Sequence, residues 1–411
     1  MDLEQANWLI SQARANRDQS DSHAPGVRLE AWQANLLSEQ IELRRRASIR
    51  FPDSQNWLWT PRSLAQSSDW WCANFKASLF PRDKLTLDGC CGAGVDLVAL
   101  SMRGAAIGID RDPTLVALAN SNLAAHGLAE SAEQGELPRD FTNRAEGACW
   151  LHLDPDRRTA DSLTRRLRKA EDFSPSLSES VEMARQASGA VVKLAPASAL
   201  DPQLESAIQN DCALVRCWLG NLGECRQQLL VTGELVTGEI ANRVFGRPAQ
   251  LNSRIAVLCE PNSSPVVISG LPQASCAGEL KPGRFIYDCH AVLHAAQLQD
   301  VWAKSIGARP LGSSQGYFTA DAAHRSPWAQ CFEIVDVLPW DQRRVKRWLR
   351  EQRIGEVEVK KRLLQLDAND QQRLLRGAGE VKITLLITRL GDRVRAIAAR
   401  RIYPTKQTFK S

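Results

Sequence analysis

The feature that most constrains the fold is a glycine-rich turn between a predicted strand and a predicted helix. Residues 85–88 form a short apolar strand, and a helix is predicted from about Val95 to Arg103. Between them stand Gly89, Gly92 and Gly94. Glycines let a backbone turn tightly and approach a ligand closely. In an open α/β sheet such a ligand lies at the carboxyl ends of the strands. The spacing differs from the G-x-G-x-x-G of a dinucleotide site.

Strands and helices alternate after this turn. A second predicted strand ends at Asp110, and Pro113 opens a helix. Further apolar strands follow at residues 148–154, 189–194, 213–219, 228–231 and 254–259. This alternation predicts βαβ units and a mainly parallel sheet. We therefore predict an α/β protein with a Rossmann-like domain over residues 81–270.

The flanking segments differ from this domain in their patterns. Residues 1–80 have helical spacing of apolar residues and predict an N-terminal helical region. Residues 271–330 are rich in Pro, Ser and Gly and suggest a connecting arm. Residues 331–411 predict a small α+β domain with the order βαβαββ.

Composition excludes several classes of protein. The chain has 411 residues, of which 44% are hydrophobic and 24% charged, as in ordinary globular proteins. No apolar run approaches the ~18 residues of a membrane span. The 11 cysteines form no Cys-x-x-Cys pair, so no metal site is predicted. With no basic and apolar leader at the N-terminus, we expect a cytoplasmic location with reduced thiols.

The charge is distributed unevenly. From Asp341 to Ser411 there are 19 Lys and Arg against 8 Asp and Glu, a net +11, whereas the rest of the chain carries a net −6. A basic face is typical of nucleic-acid binding, although a well-solvated small domain has the same composition. The basic residues predicted to contact RNA are Arg343, Arg344, Arg347, Lys360, Lys361 and Arg362.

Acidic residues around the glycine turn suggest the ligand. Asp88, directly before the turn, would repel a pyrophosphate but could pair with a cationic amine, directly or through water. Asp110 ends the second strand, where an acid accepts hydrogen bonds from ribose hydroxyls. Glu136 could end a third strand beside an adenine. An amino-acid–nucleoside conjugate without phosphate, S-adenosylmethionine, fits this set.

The segments Asp88–Gly94 and Gly108–Pro113 resemble motifs I and II of class I S-adenosylmethionine-dependent methyltransferases. With Leu153–Arg158, Val192–Pro196 and Glu358–Arg362, the chain resembles bacterial methyltransferase-type proteins with a THUMP-like C-terminal domain. Its methyltransferase half is similar to the trimethylguanosine synthase group, in which a helix opening Thr-Pro precedes the glycine turn. The resemblance implies an RNA substrate, because THUMP domains bind RNA. The predicted cofactor-binding residues are Thr60, Asp88, Gly89, Cys90, Cys91, Gly92, Ala93, Gly94, Asp96, Asp110, Arg111, Glu136 and Leu137.

The predicted catalytic residues are Asp154, Pro155 and Arg157. Exocyclic-amine methyltransferases hold the amine with an Asp/Asn-Pro-Pro-aromatic sequence after the fourth strand. This chain keeps the first acid and the first proline and lacks the second proline and the aromatic residue. Asp154 could accept hydrogen bonds from a base amine, and Arg157 or Arg158 could meet a phosphate. Trp57 and Trp59 are either a stacking platform or core anchors, and Lys193 could face the cleft.

These features predict a methyltransferase acting on a base in RNA, with an exocyclic amine favoured. The alternative, suggested by the incomplete Asp-Pro sequence, is a catalytically silent methyltransferase-fold module that binds RNA or protein.

Overall fold

The structure, a computed structural model, describes residues 1–18, 29–142, 149–155, 173–198, 200, 202–210, 213–246, 248 and 250–402. It divides into two compact units. The first comprises Met1–Asn221 and Arg226–Val267, and the second comprises Leu222–Cys225 and Ile268–Ser411.

The first unit contains a sheet with helices around it. Its helices are α1 (Leu3–Asp18), α2 (Ala31–Ala47), a short 3-10 turn (Ser54–Asn56), α3 (Pro61–Gln66), α4 (Trp70–Leu79), α5 (Val95–Ser101), α6 (Pro113–Ala125), α7 (Arg139–Thr142), α8 (Leu177–Gln186), α9 (Pro202–Asn210) and α10 (Gly238–Phe245). Its strands are β1 (Thr86–Gly89), β2 (Ala106–Asp110), β3 (Ala132–Gln134), β4 (Trp150–Leu153), β5 (Gly189–Leu194), β6 (Leu214–Asn221), β7 (Glu224–Gly233) and β8 (Arg254–Leu258), and β9 (Val266–Gly270) crosses the unit boundary.

The strand order in this sheet is β3-β2-β1-β4-β5-β7-β6-β8-β9. The strands from β3 to β5 are parallel, and β7 pairs antiparallel with β5. In the register of β1, Gly89 lies opposite Ile109 of β2 and Leu153 of β4. The loops that follow these three strands therefore begin at the same edge of the sheet, at Cys90, Arg111 and Asp154.

The N-terminal helices share the core of this sheet. Phe51, Trp57 and Trp59 are buried in one hydrophobic cluster with residues of α5 and of the strands. The rings of Trp57 and Trp59 are stacked with their centroids 5.3 Å apart. The helical region predicted over residues 1–80 thus lies in the same compact unit as the sheet.

The second unit is built on another sheet, ordered β11-β12-β10-β13-β16-β15-β14. Its elements are β10 (Phe285–Cys289), α11 (Ala291–Ala296), α12 (Gln299–Ser305), β11 (Arg309–Leu311), β12 (Tyr317–Ala320), β13 (Ala329–Pro339), α13 (Gln342–Glu351), β14 (Ile354–Lys361), α14 (Ala368–Leu375), β15 (Val381–Leu390) and β16 (Arg393–Arg401). The order predicted for residues 331–411, βαβαββ, is confirmed by β13 to β16 with α13 and α14.

Residues 271–330, suggested by their composition to be a connecting arm, are instead part of the second sheet. They supply β10, β11 and β12 to the second sheet, where β10 pairs antiparallel with β12 and β13. These strands have three to five residues each. Strands this short carry little pattern of their own, and it is their neighbours in the sheet that hold them.

Candidate active site

A cavity of about 640 Å³ opens at the carboxyl ends of the parallel strands of the first unit. Most of the predicted cofactor and catalytic residues line it: Thr60, Cys90, Cys91, Gly92, Ala93, Asp96, Asp110, Arg111, Glu136, Leu137, Asp154 and Pro155. Asp88, Gly89 and Gly94 do not line it. Arg157 lies outside the described residues. The cavity thus joins the glycine turn to the residues after β4.

The turn after β1 is shaped by left-handed backbone conformations. Cys90, Gly92 and Gly94 have φ angles of 59°, 57° and 83°. At Gly92 an added Cβ would meet no atom within 4 Å, so the turn is open there. At Gly94 an added Cβ would lie 3.0 Å from the Cβ of Ala119, so this glycine lets α5 approach α6 closely.

The carboxylate of Asp110 is held by the backbone on both sides. Its Oδ2 accepts the N–H of Gly92 at 2.9 Å, and its Oδ1 accepts the N–H of Asp112 at 3.0 Å. Burial raises the pKa of Asp110, and these two backbone donors oppose the shift. A carboxylate has about four acceptor sites, so two remain for hydroxyls of a ligand in the cavity.

Asp88 has a different environment from the one the sequence suggested. It is completely buried, and its Oδ1 lies 2.6 Å from Nδ1 of His152. On the other side of the ring, Nε2 of His152 lies 3.1 Å from Nζ of Lys76, which is 2.7 Å from Oδ1 of Asp96. Asp96 lines the cavity. Among the described residues, the side chain of Asp88 is thus connected to the cavity through this buried cluster.

The two carboxyl groups of the cluster are shifted in opposite directions. Burial raises the pKa of Asp88, and the neighbouring His152 opposes this. Burial would also raise the pKa of Asp96, but the adjacent Lys76 ammonium holds it well below its ordinary range. The carboxylate of Asp96 also accepts a hydrogen bond from the hydroxyl of Ser68 at 2.9 Å. Asp96 thus presents an ionised group beside the cavity.

Asp154 is fixed at the end of β4. Its backbone N–H donates to the carbonyl of Gly89 at 3.1 Å, and its Oδ2 lies 2.5 Å from Nζ of Lys193. The same ammonium donates to the carbonyl of Gln66 at 3.3 Å. Lys193 does not line the cavity, although its two partners do.

The Thr-Pro segment begins α3 beside the cavity. The Oγ1 of Thr60 accepts the N–H of Ser63 at 2.9 Å and caps the helix. Pro61 occupies the first turn, where its missing N–H costs nothing. Several residues of α3 and the following loop line the cavity without having been predicted: Pro61, Arg62, Ser63, Gln66, Ser67 and Ser68. The cap signal at Thr60 could have pointed to them.

The loop after β3 forms another wall of the cavity. The N–H of Gly135 donates to the carbonyl of Asp110 at 3.0 Å, and the N–H of Glu136 donates to Oδ2 of Asp140 at 2.6 Å. These bonds hold Glu136 and Leu137 at the cavity wall. Arg111, on the facing loop, lies 3.4 Å from the hydroxyl of Ser174 through Nη1.

Trp57 and Trp59 are not a stacking platform. Both are buried in the core of the first unit and neither lines the cavity. The alternative interpretation, that they are core anchors, is the correct one. Their indole rings contribute burial of apolar surface rather than contact with a ligand.

The basic residues of the second unit fall into two sets. Arg343, Arg344 and Arg347 are exposed on α13, and no carboxylate of the described residues lies within ion-pair distance of them. The apolar face of α13 is buried through Val345 and Leu349. The helix therefore packs on one side and presents cations on the other.

The second set consists of Lys360, Lys361 and Arg362, and each of these side chains already has a partner within the protein. Nζ of Lys360 lies 2.9 Å from Oδ2 of Asp288, and Nη2 of Arg362 lies 2.8 Å from Oδ1. Burial would raise the pKa of Asp288, but these two cations hold it below its ordinary value. Lys361 donates to the carbonyl of Leu364 at 3.2 Å. Any phosphate at Lys360 or Arg362 would compete with Asp288.

The described residues include neither a metal-ligand cluster nor a membrane-spanning helix. No group of three or more His, Cys, Asp or Glu side chains there could hold a metal ion. No helix in the same part of the chain is long and apolar enough to cross a membrane.

Comparison with known proteins agrees with this architecture. Residues 329–401 match the family described as THUMP domain-like. Two uncharacterized S-adenosylmethionine-dependent methyltransferases of Mycobacterium tuberculosis, from strains CDC 1551 and H37Rv, are each 25% identical over 365 residues, 87% of this chain and 93% of theirs. A provisionally assigned methyltransferase from Porphyromonas gingivalis W83 superposes with a TM-score of 0.71 at 17% identity, covering 98% of this chain and 100% of that one. The chain therefore has the α/β fold of a class I methyltransferase followed by a small THUMP-like domain.

Proposed function

We propose that this protein is an S-adenosylmethionine-dependent methyltransferase that acts on a base in RNA, with an exocyclic amine as the favoured acceptor. The observation that carries the proposal is that one cavity is lined by both the glycine turn with Asp110 and the Asp154-Pro155 pair. The names of the mycobacterial relatives and the shared fold support the cofactor. We also propose that the methyltransferase half of the chain is related to the trimethylguanosine synthase group.

The residues around the glycine turn fit the cofactor. A volume of about 640 Å³ is within the ordinary range for small-molecule sites. Asp110 offers two acceptor sites to ribose hydroxyls, and Asp96 offers an ionised carboxylate to a cationic amine. The open side of Gly92 leaves room for the ligand next to the backbone. When bound, S-adenosylmethionine supplies an activated methyl group on a sulfonium.

The residues after β4 would orient the acceptor. Asp154 accepts hydrogen bonds from the N–H groups of a base amine, and Pro155 shapes the wall beside it. Methyl transfer depends mainly on holding donor and acceptor in line, because a well-oriented pair reacts far faster than a free one. The proposed contact of Arg157 with an RNA phosphate is a further part of this proposal.

The RNA would be held by the second unit. Its THUMP-like domain and the exposed arginines of α13 support this assignment. Phosphate contacts from arginine position an RNA without reading its sequence. We propose Arg343, Arg344 and Arg347 as principal contacts, and Lys360, Lys361 and Arg362 as secondary ones because of their partners in the protein.

The first experiment measures cofactor binding by titration calorimetry. We expect wild-type protein to bind S-adenosylmethionine and Asp110→Ala to bind it about 10- to 150-fold more weakly, since charge-assisted hydrogen bonds contribute roughly 1.5–3 kcal/mol. Asp110→Asn should also weaken binding, because it keeps one acceptor oxygen but sets an amide N–H group against one of the two backbone donors. Asp83→Ala removes an exposed carboxylate outside the cavity and serves as the matched control. Wild-type protein that binds no cofactor at high micromolar concentration would refute the proposal.

The second experiment measures transfer of a labelled methyl group to total RNA from cells that lack the gene. Incorporation into RNA, lost in Asp154→Ala, supports the proposed reaction. RNA binding without incorporation identifies the silent binding module that the incomplete Asp-Pro sequence suggests. Incorporation into protein or small molecules alone would assign a different substrate.

A further inference from the structure

We infer that Lys193 is a positioning residue for methyl transfer, one that keeps the carboxylate of Asp154 in place as a hydrogen-bond acceptor and thereby selects nucleophiles that carry an N–H group. The inference rests on the proposed function and deepens it, because it explains why the site favours amines over carbonyl oxygens.

The position of Lys193 follows from the register of the sheet. Leu153 of β4 lies opposite Val192 of β5, so Asp154 and Lys193 follow that pair on neighbouring strands. Nζ of Lys193 is 2.5 Å from Oδ2 of Asp154 and 3.3 Å from the carbonyl oxygen of Gln66. One ammonium thus connects β4, β5 and the end of α3.

Burial distinguishes Lys193 from a residue that binds a ligand. It is 4% exposed and does not line the cavity, whereas Asp154 does. A buried ammonium is stable when it is paired and hydrogen-bonded, so its geometry is strongly determined. Lys193 therefore does not touch a ligand in the cavity and reaches the acceptor through the carboxylate that it holds.

The ion pair decides what Asp154 can bind. Oδ2 is occupied by Lys193, and no donor among the described residues hydrogen-bonds to Oδ1. An ionised carboxylate accepts hydrogen bonds and donates none. A base carbonyl or an unprotonated ring nitrogen at Oδ1 would set two acceptors against each other. An exocyclic amine donates an N–H to Oδ1 and can direct its nitrogen toward the methyl group.

The reaction at that nitrogen is balanced without a further co-reactant. The amine nitrogen forms a bond to the methyl carbon while the bond from that carbon to sulfur breaks, and the sulfur keeps the bonding pair. The proton displaced from the amine passes to solvent water. Asp154 and Lys193 orient the amine and are unchanged at the end.

The test is a double-mutant cycle with Lys193→Met, Asp154→Asn and the double variant. Steady-state methyl transfer to total RNA, calorimetry with S-adenosylmethionine and melting of the cofactor-free protein are measured for each. We expect Lys193→Met to lower kcat about 100-fold, the effect of a misplacement of about 1 Å. Cofactor affinity should stay within about threefold. Lys193→Arg should restore most of the rate, and Lys84→Met, at an exposed lysine, should have no effect.

In the Asp154→Asn background, Lys193→Met should lower kcat no further, since its effect passes through the carboxylate. In melting, the double variant should be more stable than Lys193→Met alone, because that variant leaves a carboxylate without its cation. An additive loss of kcat, or melting temperatures without coupling, would overturn the inference, and so would a Lys193→Met variant with wild-type kcat. Wild-type protein that binds no S-adenosylmethionine would instead overturn the proposed function.

Discussion

Removing three arginines from α13 tests the proposal that the second unit binds RNA. The triple variant Arg343→Gln, Arg344→Gln, Arg347→Gln takes away cations that are exposed and that lack a carboxylate partner among the described residues. Arg347 lies one turn from both Arg343 and Arg344, so its charge repels each of theirs by roughly 0.2–0.5 kcal/mol per pair. The variant should therefore fold as well as the wild type or slightly better.

The expected change in the salt dependence of RNA affinity follows from counterion release. Each phosphate contact to single-stranded nucleic acid contributes about 0.7 to the slope of log affinity against log salt concentration. Three lost contacts should flatten the slope by about 2. Between 50 and 200 mM salt, a fourfold change, the wild type should therefore lose about 20-fold more affinity than the variant. The difference is large enough to be read from a filter-binding titration at two salt concentrations.

The matched control removes three exposed arginines from the first unit, Arg45, Arg46 and Arg243, and so changes the net charge equally. Its salt slope should stay close to that of the wild type, and calorimetry should show unchanged cofactor affinity for both variants. If the α13 variant keeps the wild-type slope, the exposed arginines do not hold the RNA. If the control flattens the slope equally, the effect comes from net charge and not from a defined surface.

Three further predictions concern the buried charges. Lys76→Met should destabilise the first unit by about 3–5 kcal/mol in urea unfolding, because it leaves the carboxylate of Asp96 buried without its cation; a loss below about 1 kcal/mol would contradict this. Asp288→Ala should lower the melting temperature of the second unit, since Lys360 and Arg362 lose their shared partner, and cofactor affinity should not change. Because the folded-state pKa of Asp96 is lowered, the stability that this carboxylate contributes should be complete above about pH 5 and should fall as the pH drops below the ordinary pKa of 3.8. In acid titrations of melting temperature, Lys76→Met should remove or reverse that loss, because burial then raises the pKa of Asp96 and protonation relieves a buried charge without its cation.

Local sequence signals predict those parts of the protein that local geometry determines. The three glycines and the acid at position 110 indicate a ligand-binding turn after a strand, and this turn lines the cavity. The Thr60-Pro61 pair predicts a capped helix start, and α3 begins there. The alternating pattern of residues 331–411 predicts the element order found in the second unit. Each of these signals lies within one turn or one element, where backbone sterics and hydrogen bonding to near neighbours decide the outcome.

Contacts between distant residues were decided only by the tertiary structure. The buried cluster joins Lys76 to His152, 76 residues away, and the ion pair of the site joins Asp154 to Lys193, 39 residues away. Lys360 and Arg362 read as a basic cluster in the sequence, and their partner Asp288 lies more than 70 residues earlier. The sequence does not distinguish a charged side chain that is solvated from one that is paired. Its role depends on which strands become neighbours in the fold.

The same reason explains the elements in which the structure differs from the prediction made from sequence, or decides between two interpretations. The strands within residues 271–330 and the antiparallel position of β7 depend on pairing partners elsewhere in the chain. Trp57 and Trp59 have large apolar rings that suit either a platform or a core, and only the packing of the N-terminal helices against the sheet buries them. The sequence determines local conformation and which apolar and charged side chains are available for burial and pairing. Burial and pairing are set by the folded chain as a whole, because desolvation depends on everything that surrounds a side chain.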